Sequence, residues 1–237
     1  LRPHLADGIA ATSVSASDLA APEMALAAAR DAVTQATQAG ATVDTRSAFI
    51  HGYTNFQGIE LWPVECWLAG QVLGQDLQTL PVSITAGSNG SLAGLELAAT
   101  TLTARADVPS VVVTMADRYP QPWDRWNLSP GMLFGDGGAA AVVTRGTGRY
   151  RLESLVTRTD TSLEGLARGA EHFHSSPPRT RPDSNRRARE FFARGEVSLG
   201  QVRARSAAGV QAVAHAAMTE AGLTMDQIDW YLPPFVG

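Results

Sequence analysis

Residues 81–105 indicate the fold class of this chain more clearly than any other segment. Pro81-Val82-Ser83-Ile84 has the β-branched residues of a buried strand, and small residues follow it up to Gly90. An Ala- and Leu-rich segment then continues to about Arg105, so the pattern predicts a strand, a tight turn and a helix. Ser88 lies in the turn, where free N–H groups and the helix dipole stabilise negative charge. The turn alone leaves two interpretations of Ser88 open, a nucleophile or a simple N-cap.

Further helices and strands are predicted on both sides of this turn. Helical periodicity covers 18–39, with Asp18 as the expected cap, and a second helix is predicted from about Pro63 to Leu73. Strands are predicted at 47–53, 110–115 and 139–144. Alternating helices and strands with short connections favour right-handed crossovers on a mainly parallel sheet, which is an α/β fold.

The rest of the chain repeats this pattern less regularly. We expect a strand at about 150–157, an Arg-rich surface excursion at 163–198, a helix at about 201–221 and a strand from Ile228. The order of a long Ala-rich helix, a glycine and a strand therefore occurs at 20–50 and again at 202–232. This repetition indicates two similar halves, 1–148 and 149–237. We expect the second half to be incomplete and flanking parts of a longer protein to be missing.

Composition excludes several classes of function. The 237 residues carry a net charge of −4, which argues against a nucleic-acid partner. No apolar run is long enough to span a membrane, and the single cysteine, Cys66, excludes an internal disulfide, so no membrane partner and a cytoplasmic location are expected. All 19 basic residues are arginine, which excludes a Schiff-base lysine within this sequence. No pattern typical of a metal site or of dinucleotide binding is present, so we expect neither.

Three segments carry a resemblance to a known enzyme family. They are the turn Thr85-Ala86-Gly87-Ser88-Asn89-Gly90, the Gly- and Ala-rich run from Phe134 to Val143, and residues 223–233. All three resemble segments of ketoacyl-ACP synthase III enzymes. The turn resembles the family's Ala-Ala-Cys-Ala-Gly nucleophile turn, and the Gly- and Ala-rich run resembles its Phe-Gly-Asp-Gly-Ala-Gly-Ala-Ala-Val run. Residues 223–233 resemble the segment before the family's second active-site element. This resemblance implies a thiolase-like fold, in which two similar βαβαβ halves form a layered α-β-α-β-α sandwich.

The resemblance also implies a function. It implies an acyltransferase and homodimer that takes an acyl group from acyl-CoA or a phosphopantetheinyl carrier protein, without a tightly bound cofactor. Ser88 replaces the family's cysteine, and Pro234 stands where the family has a histidine. In these respects the chain looks most like acyl-transferring relatives in polyketide and antibiotic biosynthesis. Because a serine ester is less electrophilic toward a carbanion than a thioester, transfer to oxygen or nitrogen is favoured over starter-unit condensation.

A serine nucleophile needs a general base, since an alcohol is not ionised at neutral pH. We expect His51 to be a satisfied core residue and His215 to be structural and partly buried. In the loop at 169–174, we choose His172 over His174 as the catalytic base, and a base from outside this sequence is equally open. His4 is the remaining histidine.

We also predict roles for several other side chains. Asp136 between glycines is predicted to accept hydrogen bonds in a turn, while Trp123, Trp126 and Phe134 are predicted to line the core or an acyl pocket. The arginines at 179–194 suit either a solvated face or the phosphates of coenzyme A and an acidic carrier.

Two alternative functions follow from the same residues. Ala86-Gly87-Ser88-Asn89-Gly90 differs by one residue from the Gly-x-Ser-x-Gly elbow, which would indicate a serine hydrolase or thioesterase. Loss of both the family's cysteine and its histidine would instead suit an inactive partner subunit of a synthase.

Overall fold

The computed structural model of the chain describes residues 11–16, 18–120, 123–126, 133–146, 148–175 and 183–232. These residues form two compact units. The sheet unit contains the described residues from 11 to 123 together with those from 134 to 151. The helical unit contains 124–126, 133 and the described residues from 152 to 232. Within these ranges, no helix has the length and apolar character needed to cross a membrane.

The sheet unit alternates helices and strands in the predicted order. Its helices are α1 (Ala21–Gln38), α2 (Val64–Leu73) and α3 (Gly90–Ala104), and a 3-10 turn at Gly87–Asn89 precedes α3. Its strands are β1 (Ala48–Gly52), β2 (Val82–Ile84), β3 (Ser110–Asp117) and β4 (Gly137–Thr144). They form one sheet in the order β2-β1-β3-β4. Since β1 is parallel to β2 and β3 while β4 is antiparallel to β3, the prediction of a mainly parallel sheet is confirmed.

Helices cover both faces of this sheet. Phe49 of β1 and Val112 of β3 pack with Leu68 of α2 and with α1. Ile50 and Val113, the next residues along, pack with α3 on the other face. Successive strand residues point to opposite faces, so both faces of β1 and β3 are buried. This double burial explains why β3 is an unbroken β-branched run in the sequence.

The start of α1 differs from the prediction. Asp18 does not cap it, because the helix begins at Ala21 with Ala20 at the N-cap position. The backbone N–H of Ala20 donates to the Glu23 carboxylate at 2.7 Å, and Pro22 occupies the first turn. The glutamate satisfies the exposed N–H and proline suits this turn, so these two residues set the boundary.

The helical unit contains α4 (Gly165–Arg168), α5 (Ser184–Ala193) and α6 (Leu199–Ala221), with 3-10 turns at Thr161–Leu163 and Met225–Gln227. Helix α6 confirms the prediction at about 201–221. Its N-cap is Ser198, whose side chain accepts the N–H of Gln201, and it ends at Gly222 with φ +68°. A left-handed glycine is a common helix C-terminus because it has no Cβ to clash.

Two predicted strands are wrong. Residues 151–160 are irregular, and so are 228–232, where Trp230 is 82% exposed and Leu232 is 85% exposed. No strand within the described ranges pairs with either segment. Apolar and β-branched residues favour a strand only where a neighbouring strand and a packed face receive them.

Candidate active site

Ser88 lies in the 3-10 turn that joins β2 to α3. Gly87 has φ +55°, a conformation that side chains disfavour, and the Asn89 N–H closes the turn on the Ala86 carbonyl at 3.2 Å. Ser88 is exposed, and its hydroxyl makes no hydrogen bond with any residue that the structure describes. The turn therefore presents this hydroxyl to solvent.

The capping interpretation of Ser88 is wrong. Asn89 is the N-cap residue of α3, and no side chain forms a cap hydrogen bond there. The first N–H groups of a helix carry partial positive charge, and here that charge lies beside an exposed hydroxyl.

The Ser88 turn lies at the carboxyl edge of the parallel strands. Strand β1 ends at Gly52, which is in register with Ile84 of β2 and Met115 of β3. The loops that begin at Tyr53 and Thr85 leave the sheet at this edge, as does the chain after β3. Open α/β sheets bind ligands at this edge, so the position of Ser88 suits a reactive group.

Asp117 holds two segments together at the same edge. Its carboxylate accepts the N–H groups of Thr54 at 2.9 Å and Asn55 at 2.7 Å. The side-chain amide of Asn55 in turn donates to the backbone carbonyl of Arg118 at 2.7 Å. Burial raises the pKa of Asp117, against the opposing effect of these backbone hydrogen bonds. Sequence analysis missed this residue; its only signal is an acidic group at the end of a buried strand.

His51 is a satisfied core residue, as predicted. Its Nδ1 lies 2.8 Å from Thr114 Oγ1 and its Nε2 lies 3.2 Å from Gln57 Oε1. Burial lowers the pKa of His51, which favours the neutral ring. Because the Gln57 oxygen only accepts, the neutral ring donates from Nε2 and Thr114 donates to Nδ1.

Strand alternation separates His51 from Ser88. The neighbours of His51 in β1, Ile50 and Gly52, face α3, whose N-terminus carries Ser88. His51 therefore points to the opposite face of the sheet, toward α1 and α2. It is not placed to act as a base for Ser88.

The other described histidines belong to the helical unit. His172 and His174 are exposed, in the segment after α4. His215 is exposed on α6, so the expected partial burial is wrong. His4 lies outside the described residues. In the described part of the sheet unit no histidine is brought to Ser88, and His172 as the base stays a prediction.

Asp136 organises the Gly- and Ala-rich run. Its buried carboxylate accepts the N–H of Ser15 at 2.9 Å and that of Tyr119 at 2.8 Å, which confirms its predicted role as an acceptor. Gly138 allows β4 to approach α1, because a Cβ there would lie 2.7 Å from the Met24 carbonyl group. The acid and the glycines of this run therefore anchor the edge strand.

The aromatic residues near this run pack together. The ring of Tyr119 lies 4.9 Å from Phe134 and 5.4 Å from Trp123, measured between centroids. Burial raises the pKa of Tyr119 to about 12. Packing is thus the role that the structure shows for Trp123 and Phe134, and Trp126 is half-buried in the helical unit.

Arginines of the excursion pair largely with nearby acids. Arg186 pairs with Glu171 and, at 2.6 Å, with Glu190, while Arg187 pairs with Glu171 at 2.6 Å. Such mutual pairing favours the interpretation of a solvated charged face over a phosphate site. Arg179 and Arg181 lie outside the described residues.

A groove of about 410 Å³ lies at the other end of α3. It is lined by the beginnings of β1 and β2 and by the end of α3, with Leu80, Leu97 and Arg105 among its residues. These residues mark the amino edge of the sheet, so the groove is not part of the Ser88 site. Among the described residues, no group of three or more potential metal ligands occurs.

The sheet order and the Ser88 turn define a thiolase-like α/β protein, and solved structures agree. Synthase III from Thermus thermophilus matches with a TM-score of 0.62 and 23% identity, over 93% of this chain and 64% of that one. A cysteine-to-serine variant of Xanthomonas campestris OleA, solved with lauric acid and lauroyl-CoA, matches with a TM-score of 0.63 and 19% identity, over 95% of this chain and 65% of that one.

A more similar structure is ChlB3, described as an acyltransferase. It shares 31% identity with a TM-score of 0.77, over 91% of this chain and 62% of that one. The sequence profile of 3-oxoacyl-[acyl-carrier-protein] synthase III matches residues 82–161, which contain both Ser88 and Asp136. By its fold, and by the match of residues 82–161, the chain is similar to ketoacyl-ACP synthase III proteins of the thiolase superfamily.

The chain spans less than two thirds of the length of these three relatives, at 62%, 64% and 65%. A search of curated proteins found no match.

Proposed function

We propose that this protein is an acyltransferase that carries the acyl group as an ester on Ser88. The observation that carries the proposal is the exposed Ser88 hydroxyl at the N-terminus of α3, on the carboxyl edge of the parallel strands. The likeness to ChlB3 supports acyl transfer as the reaction class. A secondary-metabolite pathway, a cytoplasmic location and a homodimer belong to the same proposal.

The proposed first step transfers the acyl group from sulfur to oxygen. Ser88 Oγ attacks the thioester carbonyl carbon of acyl-CoA or an acyl carrier protein, and a general base takes the hydroxyl proton. The C–S bond breaks, and the thiolate leaves and receives that proton. The N–H groups at the start of α3 stabilise the oxyanion of the tetrahedral intermediate. We assign the base to His172.

The proposed second step releases the acyl group to an acceptor. The oxygen or nitrogen of a hydroxyl or amine attacks the ester carbonyl carbon and loses its proton to the base. The bond between that carbon and Ser88 Oγ then breaks, and the base returns the proton to Oγ, which restores the Ser88 hydroxyl. This chemistry needs no tightly bound cofactor, because the thioester is already activated. A serine ester reacts poorly with a carbanion, so an oxygen or nitrogen acceptor is favoured over condensation.

Intact-protein mass spectrometry tests the first step. After incubation with acyl-CoA donors from acetyl to lauroyl, the protein should gain the mass of one acyl group, and peptide mapping should place it on Ser88. Ser88→Ala should slow acyl transfer about 10³-fold or more. Ser88→Cys should form the adduct faster, because a thiolate at a helix N-terminus is the stronger nucleophile. Ser91→Ala, at an exposed serine in the first turn of α3, is the matched control and should keep the adduct.

Other outcomes identify the alternatives. Rapid hydrolysis of the thioester without an acceptor would indicate a serine hydrolase or thioesterase. If no CoA or carrier-protein donor labels Ser88, the acyltransferase proposal fails and an inactive partner subunit is favoured.

A further inference from the structure

We propose that Gly94 is a positioning residue for Ser88, because its missing side chain lets α3 lie directly on β3. This inference rests on the proposed function of Ser88. The buried residues of α3 are Gly90, Gly94, Ala98 and Leu102, one helical turn apart and on one face. The smallest of them lie nearest to Ser88, where the helix approaches the sheet.

The contact at Gly94 leaves no room for a methyl group. A Cβ there would lie 2.7 Å from Cγ1 of Val113 and 3.8 Å from Cγ2 of Ile50. Val113 is 5% exposed and in register with Ile50 and Ala141 of the flanking strands. A buried β-branched side chain has few allowed χ1 rotamers, so Val113 yields less readily than a flexible side chain. We therefore expect the helix to move if residue 94 gains a side chain.

Two other glycines where α3 meets the sheet, Gly90 and Gly52, tolerate more. A Cβ at Gly90 would lie 3.2 Å from Cε of Met115, the flexible end of a side chain that can yield. A Cβ at Gly52 would lie 3.4 Å from the carbonyl carbon of Gly90, an ordinary contact. Of these three positions, Gly94 is therefore the one at which helix and sheet have the least room to adjust.

A shift of α3 carries Ser88 with it. The helix begins at Gly90, directly after the Gly87–Asn89 turn, so the turn and the first helical residues move together. Misplacement of a reacting atom by about 1 Å costs on the order of 10²-fold in rate. Glycine in a helix interior is otherwise unfavourable relative to alanine, so close packing accounts for the glycine better than helix formation does.

The test is the rate constant of Ser88 acylation at saturating acyl-CoA, with the donor concentration for half-maximal rate and the melting temperature measured in parallel. Gly94→Ala should lower the rate constant about 10- to 100-fold and change the half-maximal concentration less than about twofold. Gly209→Ala on α6, where a Cβ would meet nothing within 4 Å, is the matched control and should keep the wild-type rate. Gly94→Ala combined with Val113→Ala removes the clashing Cγ1 and should recover a rate within about threefold of Val113→Ala alone.

The outcomes separate this inference from the proposed function. If the wild-type protein forms no adduct, the proposed function fails. If the wild-type protein reacts and Gly94→Ala reacts equally fast with only a lower melting temperature, Gly94 is merely structural and the inference is overturned. Should Gly94→Ala not fold, Val113→Ile adds a carbon at the same contact from the strand; a reduced rate supports the inference and a wild-type rate overturns it.

Discussion

Two ionisable side chains lie at the carboxyl edge of the sheet, where His51 is buried and Asp117 is half-buried, and loss of solvent favours their neutral forms. For His51 the folded pKa is below the ordinary 6.5. As pH falls through 6.5, the unfolded chain takes up a proton that the folded ring refuses, so the folded state loses stability. For Asp117 the folded pKa is above 3.8, so the folded state takes up its proton first and gains stability as pH falls through that range.

Replacing His51 should flatten the pH dependence of stability near neutrality. We expect the wild-type free energy of unfolding to fall between about pH 7 and about pH 5, and His51→Gln to show a smaller fall over the same range. Urea unfolding at each pH, followed by circular dichroism, measures this. His215→Gln, on the exposed surface of α6, is the control and should keep the wild-type slope. An unchanged slope in His51→Gln would show that burial of this ring does not control the acid response.

Helix α3 is held differently at its two ends. At its N-terminus, no side chain in the described structure forms a cap, and Ser88 is exposed beside it. At its C-terminus, the Arg145 guanidinium donates to the carbonyls of Leu102 at 2.9 Å and Val108 at 2.8 Å, and also to that of Arg105. A cation at a helix C-terminus satisfies free carbonyls and interacts favourably with the dipole. The C-terminal end of α3 is thus stabilised by a side chain, whereas the proposed nucleophile lies at its N-terminal end.

Loss of Arg145 should therefore reduce stability without affecting reactivity. Arg145→Met keeps the aliphatic stem but removes the donors, and we expect a loss of about 1 to 2 kcal/mol in the free energy of unfolding. Arg149→Met is the matched control, because the Arg149 guanidinium lies over the exposed ring of Tyr150, 5.3 Å from its centroid, and should cost about 0.5 kcal/mol. Denaturant titration measures both, and the acylation rate at low temperature should equal that of the wild type. Equal stability of the two variants would refute the capping role.

The two residues proposed for catalysis belong to different compact units. Ser88 belongs to the sheet unit, whereas His172 belongs to the helical unit. The proposed roles of Ser88 and His172 can therefore be tested separately by kinetics.

His172→Gln should slow acylation of Ser88 by about 10²- to 10⁴-fold, which is the usual contribution of a general base. His174→Gln, two residues away and also exposed, is the control and should remain within about twofold of the wild-type rate. Single-turnover acylation across neutral pH measures both. A wild-type rate in His172→Gln would remove this histidine from the mechanism and point to a base elsewhere.

The local sequence pattern was sufficient to predict much of the fold. The strand, turn and helix around Ser88, the order of elements in the sheet unit and helix α6 follow from hydrophobic periodicity and from residues such as Gly87 and Gly222. These features depend on neighbours within a few residues, so a sequence specifies them directly. The resemblance carried by Ser88 and the Asp136 run likewise depends on short segments.

Contacts between residues far apart in the sequence determined the features of the fold and the site that local pattern did not predict. Asp117 and Thr54 are 63 residues apart, and the position of His51 on the face away from α3 depends on strand alternation and register. The strands predicted at 150–157 and from Ile228 do not form, since β-structure needs partners that local sequence does not supply. The amino-acid sequence thus determined which hydroxyl lies at a helix N-terminus. Only the tertiary structure decided which side chains surround it, because those contacts join residues that are distant along the chain.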